Sequence, residues 1–148
     1  MGIQDTRLKK YSDRLSEEWK THGKIILGID FDNTLSPYHT LDNQEDIDRT
    51  IILLKDCQGV GCYTVIHTAC NEDRHQEIMA YCDKIGIKVD SINQTPIELP
   101  YGQKGSKPYC NHFLDDRAAL PAALDILAEA MYKQRAFNYS RVHRDEIG

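Results

Sequence analysis

The sequence predicts an α/β fold, a three-layer αβα sandwich on a parallel, Rossmann-like sheet, and three observations carry that expectation. Short apolar runs (Lys24–Asp30, Cys62–His67, Ile87–Ile92 and Asn111–Leu114) alternate with segments whose apolar residues recur at helical spacing. Strands alternating with helices form parallel sheets with right-handed crossovers and helices on both faces. Polar residues stand at or just beyond the end of each run: Asp30 and Asp32, Thr68, Asn93, and Asp115 with Asp116. In open α/β sheets ligands lie beyond the carboxyl ends of the strands, so these residues collect where the topology puts a site.

The first helix is expected between Ile3 and Lys20, where Leu8, Tyr11, Leu15 and Trp19 share one face, and Gly23 stops it. Lys24 to Asp30 is the first strand, fully buried by its composition. Leu35 to Leu41 contains Pro37 and no period, hence a loop. Asp42-Asn-Gln-Glu45 reads as a capping box ahead of a helix buried through Ile47, Ile51 and Leu54 and ended before Gly59-Val-Gly61. After the second strand, Asn71 is expected to cap a helix buried through Ile78, Cys82 and Ile85, with Gly86 as its stop. Asn93 to Ser106 holds Pro96, Pro100, Gly102 and Gly105 and reads as irregular. Leu120, Leu124, Leu127 and Met131 form the last helical stripe, with Pro121 tolerated in its first turn. The expected layout is one domain over 1–148: an N-terminal helix within 1–22, a core over 24–133 and a polar tail over 134–148 that is mobile or adds to an edge.

Composition narrows the function classes. With 148 residues, 41% hydrophobic and 28% charged, the chain can bury a real core. A net charge of -5 without a sustained basic block does not suggest binding along a nucleic-acid backbone, although a local basic patch is compatible with it. No run reaches the length of a membrane span and residues 1–20 are too charged for a signal peptide, so a cytoplasmic protein is expected. Five scattered cysteines without a C-x-x-C pair read as small core residues in a reducing compartment.

The first strand ends in two aspartates one residue apart, followed by Asn33 and Thr34. Carboxylates at the edge of a core are costly without a positive partner, and a magnesium ion, held by one or two carboxylates plus phosphate oxygens, suits the place. Asp and Asn also favour turns, so the same residues read as a plain turn when taken alone.

The set Asp30-Phe-Asp32-Asn-Thr34, Thr68, Lys107 and Asp115-Asp116, in this order, resembles the haloacid dehalogenase-like (HAD) hydrolase superfamily. Most of its members are magnesium-dependent phosphatases. The match runs from Lys24 to about Ala119. A closer likeness is to small bacterial and phage members, through Gly86-Ile-Lys-Val-Asp90-Ser-Ile-Asn93 and Lys107-Pro-Tyr-Cys-Asn-His-Phe-Leu-Asp115-Asp-Arg117. Such members often carry an arginine two residues after the threonine, where this chain has Cys70.

The resemblance implies roles. Asp30 would be the nucleophile, forming an aspartyl-phosphate, and Asp32 the general acid and then base. Asp30, the main-chain carbonyl of Asp32, and Asp115 would hold Mg2+, with Asp116 acting through water. Lys107 would neutralise Asp30 and a phosphate oxygen, Lys104 being its competitor, and Thr68 would complete the phosphate cradle. His67 reads as a core histidine, and His39, in the loop beside the aspartates, as a candidate for substrate contact.

Superfamily members acting on small metabolites usually carry a cap domain, inserted after the first motif or the third strand. Both segments are short here, so no cap domain and an open site are expected, one that admits a bulky phosphorylated substrate or takes its cover from a second copy in a homodimer. The expected function is a magnesium-dependent phosphomonoester hydrolase. A nucleotide or polynucleotide-end phosphatase is the alternative, and a non-catalytic HAD-like binding or assembly module the alternative of another class.

Overall fold

The computed structural model describes residues 5–38, 42–94 and 109–147, with side chains as far as residue 142. Four parallel strands form one sheet in the order β3-β2-β1-β4: β1 (Ile25–Asp30), β2 (Cys62–His67), β3 (Ser91–Ile92) and β4 (His112–Leu114). Helices α1 (Thr6–His22), α2 (Gln44–Gln58), α3 (His75–Lys84) and α4 (Leu120–Ile147) flank it. The fold is therefore α/β around a parallel sheet. None of the helices is long and apolar enough to cross a membrane among the described residues.

Alternation along the strands sorts their side chains. Ile25, Leu27 and Ile29 of β1, with Ile66 of β2 and Leu114 of β4, share one face and join the main core with Leu15 and Trp19 of α1, Leu54 of α2 and Leu124 and Leu127 of α4. The opposite face carries Ile26, Gly28, Asp30, Val65, His67 and Phe113. Register sets Asp30 directly beside His67, so the first aspartate is the last paired residue of the central strand.

Helix α1 begins at Asp5, whose carboxylate accepts from Arg7 N–H, and ends at Gly23, whose φ of 73° suits a residue without Cβ. It packs along α4 through a face containing the small residues Ser12 and Ser16 beside Leu15 and Trp19. The five cysteines are free; burial pushes the thiols of Cys82 and Cys110 up to about 11 and that of Cys62 to about 12, as for inert core residues.

Several elements differ from the sequence expectation. The capping box at Asp42 does not form: Asp42 has φ 58°, Asn43 is the N-cap without a side-chain cap bond, and its amide donates instead to the carbonyl of Asn33. That bond ties the start of α2 to the loop after β1. A 3-10 turn, Glu72–Arg74, precedes α3, with Asn71 as its N-cap. Strand β3 is two residues long because Asp90 takes the Thr64 N–H with its carboxylate at 2.8 Å, where a ladder carbonyl would accept. Asn111 does likewise ahead of β4, its Oδ1 accepting from Ile26 N–H at 2.7 Å. The expected tail from Gln134 onward instead continues α4 to Ile147. Polar anchors hold this extension: Gln134 is buried and bonded to Asn138, and Asn138 donates to the Val60 carbonyl.

Candidate active site

The loop after β1 is a tight turn. Phe31 O accepts from the N–H groups of Thr34, Leu35 and Ser36, and Asn33 N–H donates to Ser36 O at 2.7 Å. Asn33 has φ 62°, a left-handed conformation that Asn tolerates better than most residues. Its Oδ1 accepts from Tyr38 N–H. Phe31 and Leu35 point into the core, which leaves Asp30, Asp32 and Thr34 to define the edge.

Thr34 is the hub, although its hydroxyl is fully buried with the rest of the residue. Its Oγ1 accepts from Asp116 N–H at 3.0 Å and lies 3.3 Å from both Asp30 Oδ2 and Asp116 Oδ1, donating its single proton to one of them at a time. The hydroxyl thus sews the end of β1 to the end of β4. Asp115 is held by Arg117 N–H, which donates to its Oδ1 at 2.9 Å.

Carboxylate oxygens of Asp30, Asp115 and Asp116 lie within 4.8 Å of one another. Burial pushes the Asp30 carboxyl up to about 7; a hydrogen bond shared with Asp116 and the charges of Asp115 and Asp116 push the same way, against the smaller effect of Thr34. Without a cation, Asp30 keeps a proton over the range where an isolated aspartate has lost it. A hard divalent cation relieves the same repulsion, and an all-oxygen donor set is the set magnesium takes. The residues fit that ion.

Asp32 is not part of this carboxylate group. Its two oxygens accept from the two terminal nitrogens of Arg74, each at 3.3 Å. Both side chains are about one-third exposed, so the pair contributes at most about 1 kcal/mol. Arg74 also lies over the Tyr38 ring at 5.7 Å and has Glu77 at 3.9 Å. Sequence reasoning sought an arginine at position 70 and missed Arg74, which reaches the site from the end of the 3-10 turn; a lone arginine ahead of a helix carries no pattern of its own.

Thr68 follows the end of β2, next to Asp30's neighbour His67. Asn93 clasps it in both directions, Oδ1 accepting from Thr68 N–H and Nδ2 donating to Thr68 O, both at 2.9 Å. The Thr68 hydroxyl oxygen accepts from Cys70 N–H at 3.2 Å. Asn93 therefore positions Thr68 as well as turning the chain at φ 58°. His67 is half-buried, in contact with Cys110 Sγ at 3.6 Å and tilted against Phe113, and burial holds its imidazole below the ordinary range. It is neutral packing, as expected of a core histidine. Lys107, Lys104 and His39 lie outside the described residues.

The site therefore joins three carboxylates, a buried threonine hydroxyl and an aspartate–arginine pair at the carboxyl edge of the central strands. No family model, curated protein or solved structure matches this chain.

Proposed function

We propose that the chain is a magnesium-dependent phosphomonoester hydrolase that works through an aspartyl-phosphate on Asp30. The observation that carries this reading is the Asp30–Asp115–Asp116 group at the end of the central strand, with the Asp30 carboxyl driven up by burial and then by its neighbours. The order of motifs in the sequence supports it.

Asp30, Asp115 and the main chain at Asp32 would hold the Mg2+ ion, with Asp116 behind them. When bound, the ion offsets the charge between an anionic carboxylate and an anionic phosphate and orients the phosphoryl group. A nucleophile must be ionised; at neutral pH and without a cation, Asp30 spends much of its time protonated. In the first step an Asp30 oxygen bonds to phosphorus while the bond from phosphorus to the alcohol oxygen breaks, and Asp32 gives that oxygen a proton. In the second, Asp32 takes a proton from water, whose oxygen attacks phosphorus; inorganic phosphate leaves and the Asp30 carboxylate returns. Thr68, held by Asn93, and Lys107 would steady the phosphoryl oxygens.

The finer architecture belongs to the same reading: an αβα core without a cap, since the connections over 31–43 and 93–111 are short for an inserted domain. Without a cap the site admits water, which favours hydrolysis over transfer to another acceptor.

The test is hydrolysis of an aryl phosphate with and without magnesium, beside Asp30→Asn. Metal-dependent turnover that falls at least about a thousandfold in the variant is expected for loss of a nucleophile. Equal turnover by the variant removes Asp30 from that role. No turnover, together with no magnesium-dependent stabilisation by beryllium fluoride, an aspartyl-phosphate mimic, replaces the enzyme with the binding-module reading.

A further inference from the structure

Beside Asp32 lies a cavity of about 360 Å³, walled by Phe31, Ser36, Tyr38, Arg74, Glu77 and Tyr81. Its size is that of a small-ligand site. The walls are built rather than incidental. Tyr81 donates from its hydroxyl to Leu35 O at 3.2 Å and meets Phe31 edge-on at 5.5 Å, which fastens α3 to the loop after β1. Asn33 holds Tyr38 N–H on the other side.

In the phosphomonoesterase reading Asp32 faces the alcohol that leaves, so this cavity is where that alcohol sits. Among the described residues lining it, Arg74 is the one cation. As found, Arg74 occupies both oxygens of Asp32, and an acid needs one of them to meet the leaving oxygen. The two bonds are long for a charge-assisted pair, partly exposed to water and therefore easily exchanged. Glu77 stands on the far side of the guanidinium, 3.9 Å from its Nε, and is mostly in solvent, so it balances Arg74 weakly. A guanidinium whose fork can turn from a carboxylate to another planar or tetrahedral anion is suited to bidentate recognition.

We propose that Arg74 selects the substrate: it takes a second anionic group on the alcohol part of the phosphomonoester and in doing so releases Asp32 toward the leaving oxygen. The inference rests on the phosphomonoesterase reading. The substrate class is a phosphomonoester of an anionic alcohol, the second group being a carboxylate or a phosphate, either of which fits the fork.

The experiment compares matched pairs of substrates with magnesium present. Ethyl phosphate against 2-phosphoglycolate tests a carboxylate; a nucleoside 5′-monophosphate against the 3′,5′-bisphosphate tests a phosphate. Wild type is expected to prefer the anionic member of at least one pair about tenfold or more in kcat/KM, the size of one charged hydrogen bond. The pair that shows the preference identifies the second group. Arg74→Gln should abolish the preference, and Arg74→Lys, which keeps the charge but not the fork, should retain part of it. A merely structural role lowers all four rates by one factor and leaves the ratios alone. Unchanged ratios in Arg74→Gln, or no preference in wild type, overturn the proposal while the phosphomonoesterase stands. No hydrolysis of any of the four overturns the proposal, and the phosphomonoesterase falls with it only where the aryl phosphate is not turned over and beryllium fluoride does not stabilise the chain.

Discussion

Asp30 ends the central strand, half-buried, with two further aspartates close by, and this placement has a consequence for stability. Its carboxyl titrates near 7 in the folded chain against 3.8 for an ordinary aspartate. Between those values the native state binds more protons than the unfolded one, so stability falls as pH rises from about 4 to about 7, and the loss is complete above. His67 and His112, whose burial disfavours their cations, act in the opposite sense, so the readout is the difference between wild type and Asp30→Asn. In metal-free buffer the variant should match wild type near pH 4 and exceed it at pH 8 by on the order of 1–2 kcal/mol in urea denaturation, the full shift being cut by water reaching a half-buried group. A variant no more stable than wild type at pH 8 would show that neither burial nor the neighbouring carboxylates make the Asp30 charge costly. Asp30, Asp32, Asp115 and Asp116 were legible as candidates for a site because each stands at or just past the end of an apolar run. Arg74 was not, and neither was the link from Thr34 to Asp116, since bonds across 82 residues leave no local pattern.

At the scale of elements, strand β1 packs closely around Gly28. A Cβ there would meet Cys110 Sγ at 2.8 Å, His67 Cε1 at 2.9 Å and Phe113 Cδ1 at 3.0 Å. Phe113 is partly exposed and can yield, but His67 and Cys110 are held by each other and by the strands beneath them. Gly28→Ala is therefore expected to cost about 1–3 kcal/mol, read as a lower urea midpoint. An unchanged midpoint would mean that the cluster opens freely. The helices and the first two strands were readable from period and composition, β1 and β2 to within a residue. Strand β3 was overestimated, because the aspartate that replaces a ladder carbonyl looks in the sequence like one more strand residue. The extension of α4 escaped notice for the converse reason. Its apolar stripe stops at Met131, and Gln134 and Asn138, which hold the rest, are polar residues that mimic a solvated tail.

For the whole molecule, the candidate site is an assembly point. It draws on the ends of β1 and β4, and on the turn before α3, segments that meet only when the sheet has formed. The parallel order itself was foreseeable, since alternating strands and helices admit few other topologies. An ion bound there engages the native chain and finds no such site in the unfolded one, so it must stabilise the fold against global unfolding by mass action. Magnesium at a hundred times its dissociation constant should add about 2.7 kcal/mol, raising the urea midpoint without changing the slope. The gain should be larger at pH 8 than at pH 5, where the Asp30 proton competes with the metal. Asp115→Asn should weaken magnesium binding about tenfold or more by calorimetry and shrink the gain accordingly. Equal stabilisation of that variant would place the ion elsewhere, and no stabilisation of wild type at either pH would leave the three carboxylates as a strained edge without a metal.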